Sequence, residues 1–271
     1  MTSKTLIGVY RESVFSPGKV SDDAAILDAA LSFLSQATSL SMRAVSVEAL
    51  KHQTGLPEIV LSMAQSDEAL TLLETWQREG SRVINTAQSV RNCYRKPLTD
   101  LLQTASVSIP FSLVSALEKV PEIVDFNLYD AYWIKRGDVH AMQSGDVVKV
   151  TSSREVVACQ EHYRRHHIKE VLVQAHVSGI VIKFYGVVGD SFFQAFPDAD
   201  AAVNASVLRR LKKIAAQAAK AAGLEIYGGD AVVTPDDQIL LIDLNDWPSF
   251  GRCRLAAAKG IANYIKYQIL L

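Results

Sequence analysis

One segment near the end of the chain combines two β-rich runs with a short polar turn. Residues 230–245 read DAVVTPDDQILLIDLN, and this pattern predicts a β-hairpin. If residues 236–237 form the turn, Asp230 pairs directly with Asp243, and cross-strand Cβ atoms lie about 4.5–5.5 Å apart. Asn245 lies two residues beyond Asp243, so its side chain points to the same face of the hairpin.

This pairing would bring two carboxylates and an amide oxygen together at one end of an apolar hairpin. Neighbouring carboxylates repel each other unless a cation lies between them. Hard oxygen ligands suit Mg²⁺, which usually also binds substrate phosphates. We therefore predict that Asp230, Asp243 and Asn245 are metal ligands. The alternative is that they form the solvated end of a strand.

Composition narrows the class of protein. The chain has 271 residues, 49% of them hydrophobic, which is enough for a large core. The net charge is −1 with acids and bases interspersed, so we expect neither a nucleic-acid partner nor a membrane partner. Three cysteines without a CxxC motif argue against a disulfide scaffold or a zinc site. No signal peptide or long apolar run is evident, so we expect a cytoplasmic protein, with a homodimer among the possible oligomeric states.

The element pattern divides the chain into three parts and indicates an α+β fold. Strand and helix signals alternate over residues 1–88, which predicts a small parallel sheet. Residues 89–172 combine a helix that begins near Pro97 with short strands. Residues 173–271 read as strands, a helix, a hairpin and a last helix, which favours an antiparallel sheet with helices on one face.

Three lysines are candidates for anion binding. Lys183 lies within the apolar run IVIKFYGVV, where an unpaired buried ammonium would be expensive. It either faces solvent or meets a fixed anion, and we favour the anion. Lys135 poses the same question, and the loop 137–145 that follows it could present backbone N–H groups to a phosphate or form a plain turn. Lys96, just before a predicted helix, is the third candidate.

The order of these motifs resembles that of the ATP-grasp superfamily over nearly the whole chain. In chain order they are Lys96, Lys135, residues 174–177, Lys183, Asp230 and the Asp243-Leu244-Asn245 run. Residues 82–85 and 93–96 resemble the family's junction after its N-terminal domain, and residues 182–190 resemble its lysine-containing hairpin. Residues 241–249 are similar to its metal strand and the loop that follows.

The chain departs from the family pattern at several positions. The predicted phosphate loop is short and lacks the dense glycines of many relatives. Ala175 stands where the family often has Glu, and Asp243 replaces the commoner Glu of the metal strand. Ser249 stands where Gly is frequent.

The resemblance implies an ATP-grasp fold in which an N-terminal α/β domain with a small parallel sheet precedes two α+β subdomains that enclose ATP. It also implies ATP and Mg²⁺ as cofactors. Lys96 and Lys135 would bind the ATP phosphates, and Lys183 would contact the transferred γ-phosphoryl group. The adenine would be bound by the backbone of Gln174, Ala175, His176 and Val177, and the metal by Asp230, Asp243 and Asn245.

The resemblance favours an ATP-dependent ligase that joins a carboxylate to an amine or thiol through an acyl phosphate. The Asp-x-Asn form of the metal strand also occurs in the inositol-phosphate kinase branch, so a small-molecule kinase is the first alternative. An ATP-binding protein without chemistry is the second, and the intact lysines and carboxylates argue against it. Besides ATP, we expect a small-molecule acceptor.

Several arginines and histidines could meet that acceptor. We predict that Arg252, just after the metal strand, contacts it as a catalytic residue through a bidentate fork. Arg254 could do the same or merely open the last helix, and Arg11 follows the first strand, where α/β sheets place ligands. Residues 162–167 hold three histidines and two arginines, which could form a metal or anion patch. We interpret them instead as a solvated basic face.

Overall fold

The computed structural model describes residues 5–137, 145–198 and 203–269, without the side chains of Gln268 and Ile269. The predicted phosphate loop 137–145 therefore lies mostly outside the described residues. None of the described helices is long and apolar enough to span a membrane.

The N-terminal part forms a parallel four-stranded sheet with helices around it, as the alternating pattern predicts. Its elements are β1 (Thr5–Val9), α1 (Val20–Ala37), β2 (Ser41–Val45), α2 (Val47–Leu50), β3 (Ile59–Ser62), α3 (Asp67–Arg78), β4 (Arg82–Ile84) and α4 (Ala87–Asn92). The strand order is β2-β1-β3-β4. α1 has two acidic residues in its first turn, where the positive end of a helix favours them, and buries Ile26, Leu27 and Leu34 along one face.

The central part is an antiparallel sheet that is covered by one long helix. Its elements are α5 (Arg95–Thr104), β5 (Ser112–Ala116), α6 (Val120–Ile123), β6 (Tyr132–Arg136), β7 (Val147–Val150), α7 (Ser153–Arg165) and β8 (Glu170–Ala175), with strand order β5-β8-β6-β7. Ser152 caps α7 by accepting a hydrogen bond from the backbone N–H of Glu155. The buried residues Val156, Cys159 and Tyr163 join α7 to the sheet.

The C-terminal part is a second antiparallel sheet with two helices. Its elements are β9 (Ile180–Val187), β10 (Phe192–Pro197), α8 (Ala205–Ala222), β11 (Ile226–Val233), β12 (Ile239–Asp246) and α9 (Arg254–Ile269), with strand order β10-β9-β11-β12. Asn204 caps the start of α8, and Gly223 ends it in the left-handed conformation with a φ of 74°. Both ends of α8 therefore follow signals in the sequence.

The N-terminal and C-terminal parts share one hydrophobic core. α9 packs against α1, so that Leu27 and Leu31 lie in the same buried cluster as Ile261 and Ile265. The predicted division into residues 1–88, 89–172 and 173–271 remains a prediction. Its two boundaries fall inside α4 and β8.

Asn85 ties the end of the parallel sheet to the start of β11. Its side chain is 1% exposed. The Nδ2 atom donates to Ile226 O at 2.7 Å, and the Oδ1 atom accepts from the N–H groups of Glu225 and Ile226 at 2.8 and 3.0 Å. Trp247 adds a fourth bond between the same parts, because its Nε1 donates to Ile84 O at 3.1 Å. These four hydrogen bonds fix the position of the parallel sheet relative to the C-terminal sheet.

Replacing Asn85 by alanine should lower the free energy of unfolding by about 3 kcal/mol, because three buried hydrogen bonds are lost and two backbone N–H groups lose their acceptor. Urea denaturation measures the loss. Asn127→Ala is the matched control, since Asn127 is exposed and its side chain bonds to nearby Asp125, and it should change stability by less than about 0.5 kcal/mol. Equal effects of the two substitutions would contradict the role given to Asn85.

Candidate functional site

The hairpin β11–β12 pairs Asp230 with Asp243, as predicted. Near its tip, however, the pairing is shifted by one residue. Ala231 pairs with Leu241, so Ile242 is the extra residue of a β-bulge. The connection also differs from the predicted two-residue turn, because Thr234 N donates to Gln238 O and Asp237 adopts a φ of 60°. A three-residue loop with a left-handed last residue is a common alternative, and the bulge restores the predicted pairing.

Each of the two paired carboxylates is held by a cation. Lys183, on β9, donates to both oxygens of Asp230 at 2.7 and 2.9 Å. Arg95 donates from Nη1 to Asp243 Oδ1 at 2.6 Å, while Asn245 Nδ2 donates to the other oxygen at 3.1 Å. The repulsion predicted between the carboxylates is therefore offset by two basic side chains.

The predicted metal ligands lie together and have suitable chemistry. Asp230, Asp243 and Asn245 share the face of the sheet that carries Lys183. Each of them offers a hard side-chain oxygen as a metal ligand. Burial raises the pKa of Asp230, and the neighbouring Asp243 adds to the rise, whereas Lys183 opposes it. Among the described residues, no group of three or more His, Cys, Asp or Glu is placed to hold a metal. A metal here would rest on two carboxylates and an amide.

Lys135 lies between the central and C-terminal sheets. It is 7% exposed, and its Nζ donates to Gln174 Oε1 at 2.9 Å and to Ile242 O at 3.1 Å. On β12, the group that accepts this hydrogen bond is thus the carbonyl of Ile242, the extra residue of the bulge. Burial lowers the pKa of Lys135 to about 8, and Arg95 contributes to the lowering, whereas Asp243 and Asp230 oppose it.

The predicted adenine-binding residues span the end of β8 and the start of the next loop. Gln174 and Ala175 end the strand, and His176 and Val177 begin the loop. Gln174 is buried, and its Nε2 donates to Ser112 Oγ at 3.0 Å. The N–H groups of Ala175 and His176 donate to carbonyls of neighbouring segments at 2.8 and 2.9 Å. Burial lowers the pKa of His176, with Lys149 adding to the effect. Val177 is half-buried beside them.

Two cavities meet at the Arg95–Asp243 pair. The larger, about 310 Å³, lies between the N-terminal part and the C-terminal sheet, and Arg11, Lys19, Lys183, Tyr185 and Asn245 line it. The smaller, about 20 Å³, lies between α5 and the two antiparallel sheets, and Gln174 and Leu241 line it. Arg95 and Asp243 are the two residues that line both.

The sequence analysis named Lys96, and not its neighbour Arg95, as a candidate for phosphate binding. Lys96 is exposed and is not among the residues that line either cavity, whereas Arg95 is 6% exposed. The sequence does contain a signal for Arg95, which is its position in the helical repeat of α5. Arg95 precedes the buried residues Leu98, Thr99 and Leu102 by three, four and seven positions, and these spacings place it on the inward face of α5. The role predicted for Lys96 stays a prediction.

The predicted acceptor-binding arginines occupy different positions. Arg11 lines the larger cavity, but it donates to Trp247 O at 2.8 Å and pairs with Asp23 at 3.3 Å. Arg252 is half-exposed and is not among the cavity-lining residues, and its guanidinium lies 5.8 Å from the ring centroid of Phe196. Arg254 opens α9 and pairs with Asp22.

The basic segment 162–167 forms the end of α7 and the turn after it, in the central part. His162 and His166 lie one turn apart with ring centroids 4.3 Å from each other. Arg164 pairs with Glu118 on the exposed surface at 2.5 Å. None of residues 162–167 is among the residues that line the two cavities.

No family model and no curated protein matches the sequence. Solved structures do match the fold over almost their whole length. The D-Ala:D-Ser ligase VanG from Enterococcus faecalis is 13% identical, with 99% of this chain and 100% of that chain covered and a TM-score of 0.75. The D-alanine–D-alanine ligase from Bacillus anthracis complexed with ATP is 11% identical, with 99% of each chain covered and a TM-score of 0.70.

A third similar structure carries the name of the fold. It is the RimK domain protein ATP-grasp from Sphaerobacter thermophilus, which is 17% identical, with 97% of this chain and 100% of that chain covered and a TM-score of 0.71. The structural likeness establishes the arrangement of helices and strands. At sequence identities this low, it leaves the reaction open. The chain has the ATP-grasp fold that the order of its motifs predicts.

Proposed function

We propose that the protein is an ATP- and Mg²⁺-dependent ligase that joins a carboxylate to an amine or thiol. The observation that carries this proposal is the set of charged side chains where the two cavities meet. Lys183, Lys135 and Arg95 surround the paired carboxylates Asp230 and Asp243. Phosphoryl transfer needs this combination, because it depends on positioned cations that neutralise charge on the moving phosphoryl group.

Each residue has a role that its position supports. Asp230, Asp243 and Asn245 would hold Mg²⁺, which supplies charge neutralisation at the phosphates when bound. Lys135 and Lys96 would bind phosphates, and residues 174–177 would bind adenine. Lys183 would contact the γ-phosphoryl group from its position beside Asp230. The acceptor would occupy the larger cavity. Arg252 does not line that cavity, so its contact with the acceptor rests on the sequence alone and stays a prediction.

The chemistry proceeds in two steps. The substrate carboxylate attacks the γ-phosphorus, the bond to the β-phosphate oxygen breaks, and ADP leaves as an acyl phosphate forms. The amine or thiol then attacks the acyl carbon, loses a proton, and displaces inorganic phosphate. In a kinase, a hydroxyl attacks instead and the product keeps the phosphate. The Asp243-Leu244-Asn245 pattern keeps that alternative open.

The fate of phosphate separates these functions. A metabolite screen that follows ADP and inorganic phosphate together should find a carboxylate and an amine or thiol that produce both in equal amounts. ADP without inorganic phosphate would indicate a kinase. ATP binding with no turnover against any pair of substrates would favour a binding protein.

Asp243→Asn should abolish ADP formation, because the metal loses a charged ligand. It should also lower the free energy of unfolding by about 3 kcal/mol, because the buried Arg95 loses its anion. Turnover and urea denaturation measure the two effects. Asp236→Asn, in the exposed turn of the same hairpin, is the control and should change neither.

Asp230→Asn separates loss of the metal from loss of the fold. Its partner Lys183 is half-exposed and can be hydrated, so this variant should lose turnover with less loss of stability than Asp243→Asn. Normal ADP formation by either variant would contradict the metal assignment.

Lys183→Gln should lower kcat by about 100-fold and change KM for ATP far less, because a contact made mainly in the transition state is lost. Steady-state kinetics over a range of ATP concentrations measure both constants. Lys213→Gln, on the exposed face of α8, is the control. A rise in KM with unchanged kcat would show that Lys183 contributes only to binding.

Lys135 should make ATP binding depend on pH. Its positive charge is lost as pH rises through about 8, so the Kd for Mg–ATP should increase between about pH 7 and pH 9.5. Lys135→Met should bind ATP more weakly with a flatter pH profile, whereas the exposed Lys119→Met should resemble the wild type. Calorimetric titration measures the affinities, and an unchanged profile in Lys135→Met would exclude Lys135 as the source.

The same lowered pKa predicts the opposite trend for stability. In the unfolded chain the pKa returns towards its ordinary value of 10.5, so above about pH 8 the unfolded state binds more protons than the folded state. The stability of the ligand-free wild type, relative to Lys135→Met, should therefore rise with pH from about 8 to 10.5. Urea denaturation across that range tests the sign.

A further inference from the structure

Arg95 has an incomplete set of hydrogen bonds in a buried position. Nη1 donates to Asp243, but Nε is buried and has no hydrogen-bond partner among the described residues. A guanidinium offers five N–H groups, and leaving one of them buried without an acceptor is unfavourable. The position therefore suits a second anion that would bind beside Asp243.

The location of Arg95 indicates where such an anion would lie. Together with Asp243, it separates the larger cavity from the smaller one, which is lined by Gln174, the hydrogen-bond partner of Lys135. If the nucleotide occupies one cavity and the acceptor the other, the phosphoryl group is transferred where the two cavities meet, beside Arg95 and Asp243. Arg95 is the described cation that lines both.

The start of α5 strengthens the positive potential at this point. Arg95 is the first residue of this ten-residue helix, and Tyr94 before it provides no side-chain cap. The N–H groups of the first turn and the helix dipole both favour an anion there. The buried guanidinium is the main evidence for an anion site here, and the start of α5 adds to its positive potential.

We propose that Arg95 is a phosphate-binding residue that is held by Asp243 in the nucleotide-free protein and moves to the transferred phosphoryl group when a divalent metal binds Asp243. This inference rests on the proposed ATP-dependent function. Arg95 and the metal compete for one carboxylate, so metal alone binds weakly. Phosphate draws Arg95 away from Asp243, so nucleotide and metal each strengthen binding of the other, as linkage requires.

Arg95→Gln should change two affinities in opposite directions. Without its cation, Asp243 should bind Mn²⁺ in the absence of nucleotide about tenfold more tightly, as measured by electron paramagnetic resonance. The Kd for Mg–ATP should rise by about tenfold or more, because a charge-assisted bond to phosphate is lost. Arg91→Gln, which removes an arginine of α4 that pairs with exposed carboxylates of α3, should change neither affinity.

A purely structural ion pair predicts a different result. Its loss would weaken metal and nucleotide binding together, through a disturbed Asp243, or would leave both unchanged. Either outcome overturns the proposal. If wild-type protein does not bind Mg–ATP at all, the proposed function fails first, whereas wild-type binding with unaltered affinities in Arg95→Gln refutes only the role of Arg95.

A second variant keeps the test decisive if Arg95→Gln does not fold. Asp243→Asn releases Arg95 from its anion, so in EDTA this variant should bind metal-free ATP several-fold more tightly than the wild type, although it cannot turn ATP over. Calorimetric titration measures this affinity, with Asp236→Asn as the control. Equal or weaker binding of metal-free ATP by Asp243→Asn would show that Arg95 is not available to phosphate, and would overturn the proposal.

Discussion

The pairing of two carboxylates with two cations is the interaction on which the site depends. Asp230 and Asp243 face each other across β11 and β12, and without positive charge between them their repulsion would oppose that register. Lys183 comes from β9 of the same sheet, whereas Arg95 comes from α5 of the central part. The charge balance of the hairpin therefore requires the central part to pack against the C-terminal sheet.

Lys135 reinforces the same junction with a different partner. Its ammonium group reaches from β6 to the carbonyl of Ile242, which is the extra residue of the bulge in β12. An irregularity in one hairpin thus accompanies a contact between two sheets. Arg95, Lys135 and Lys183 are each bonded to protein oxygens. In the proposed reaction, the same three cations would bind phosphate oxygens.

Apolar packing on the other side of the site keeps the larger cavity in place. α9 lies against α1, and the buried Trp247 and Asn85 join the β11–β12 hairpin to the end of the parallel sheet. Arg11 belongs to this framework as much as to the cavity, because its guanidinium holds the backbone after β12. These contacts fix the wall of the larger cavity through hydrogen bonds within the protein itself.

The sequence by itself determined the parallel N-terminal sheet, the pairing of Asp230 with Asp243 and the proximity of Lys183 to an anion, because alternation, turn residues and an isolated lysine among apolar residues are local signals. It did not reveal α7, whose many charged residues hid a narrow buried face. Only the tertiary structure decided the bulge at Ile242 and the pairing of Arg95 with Asp243. Both depend on how α5 and β6 pack against the hairpin, and spacing along one element does not contain the position of its neighbours.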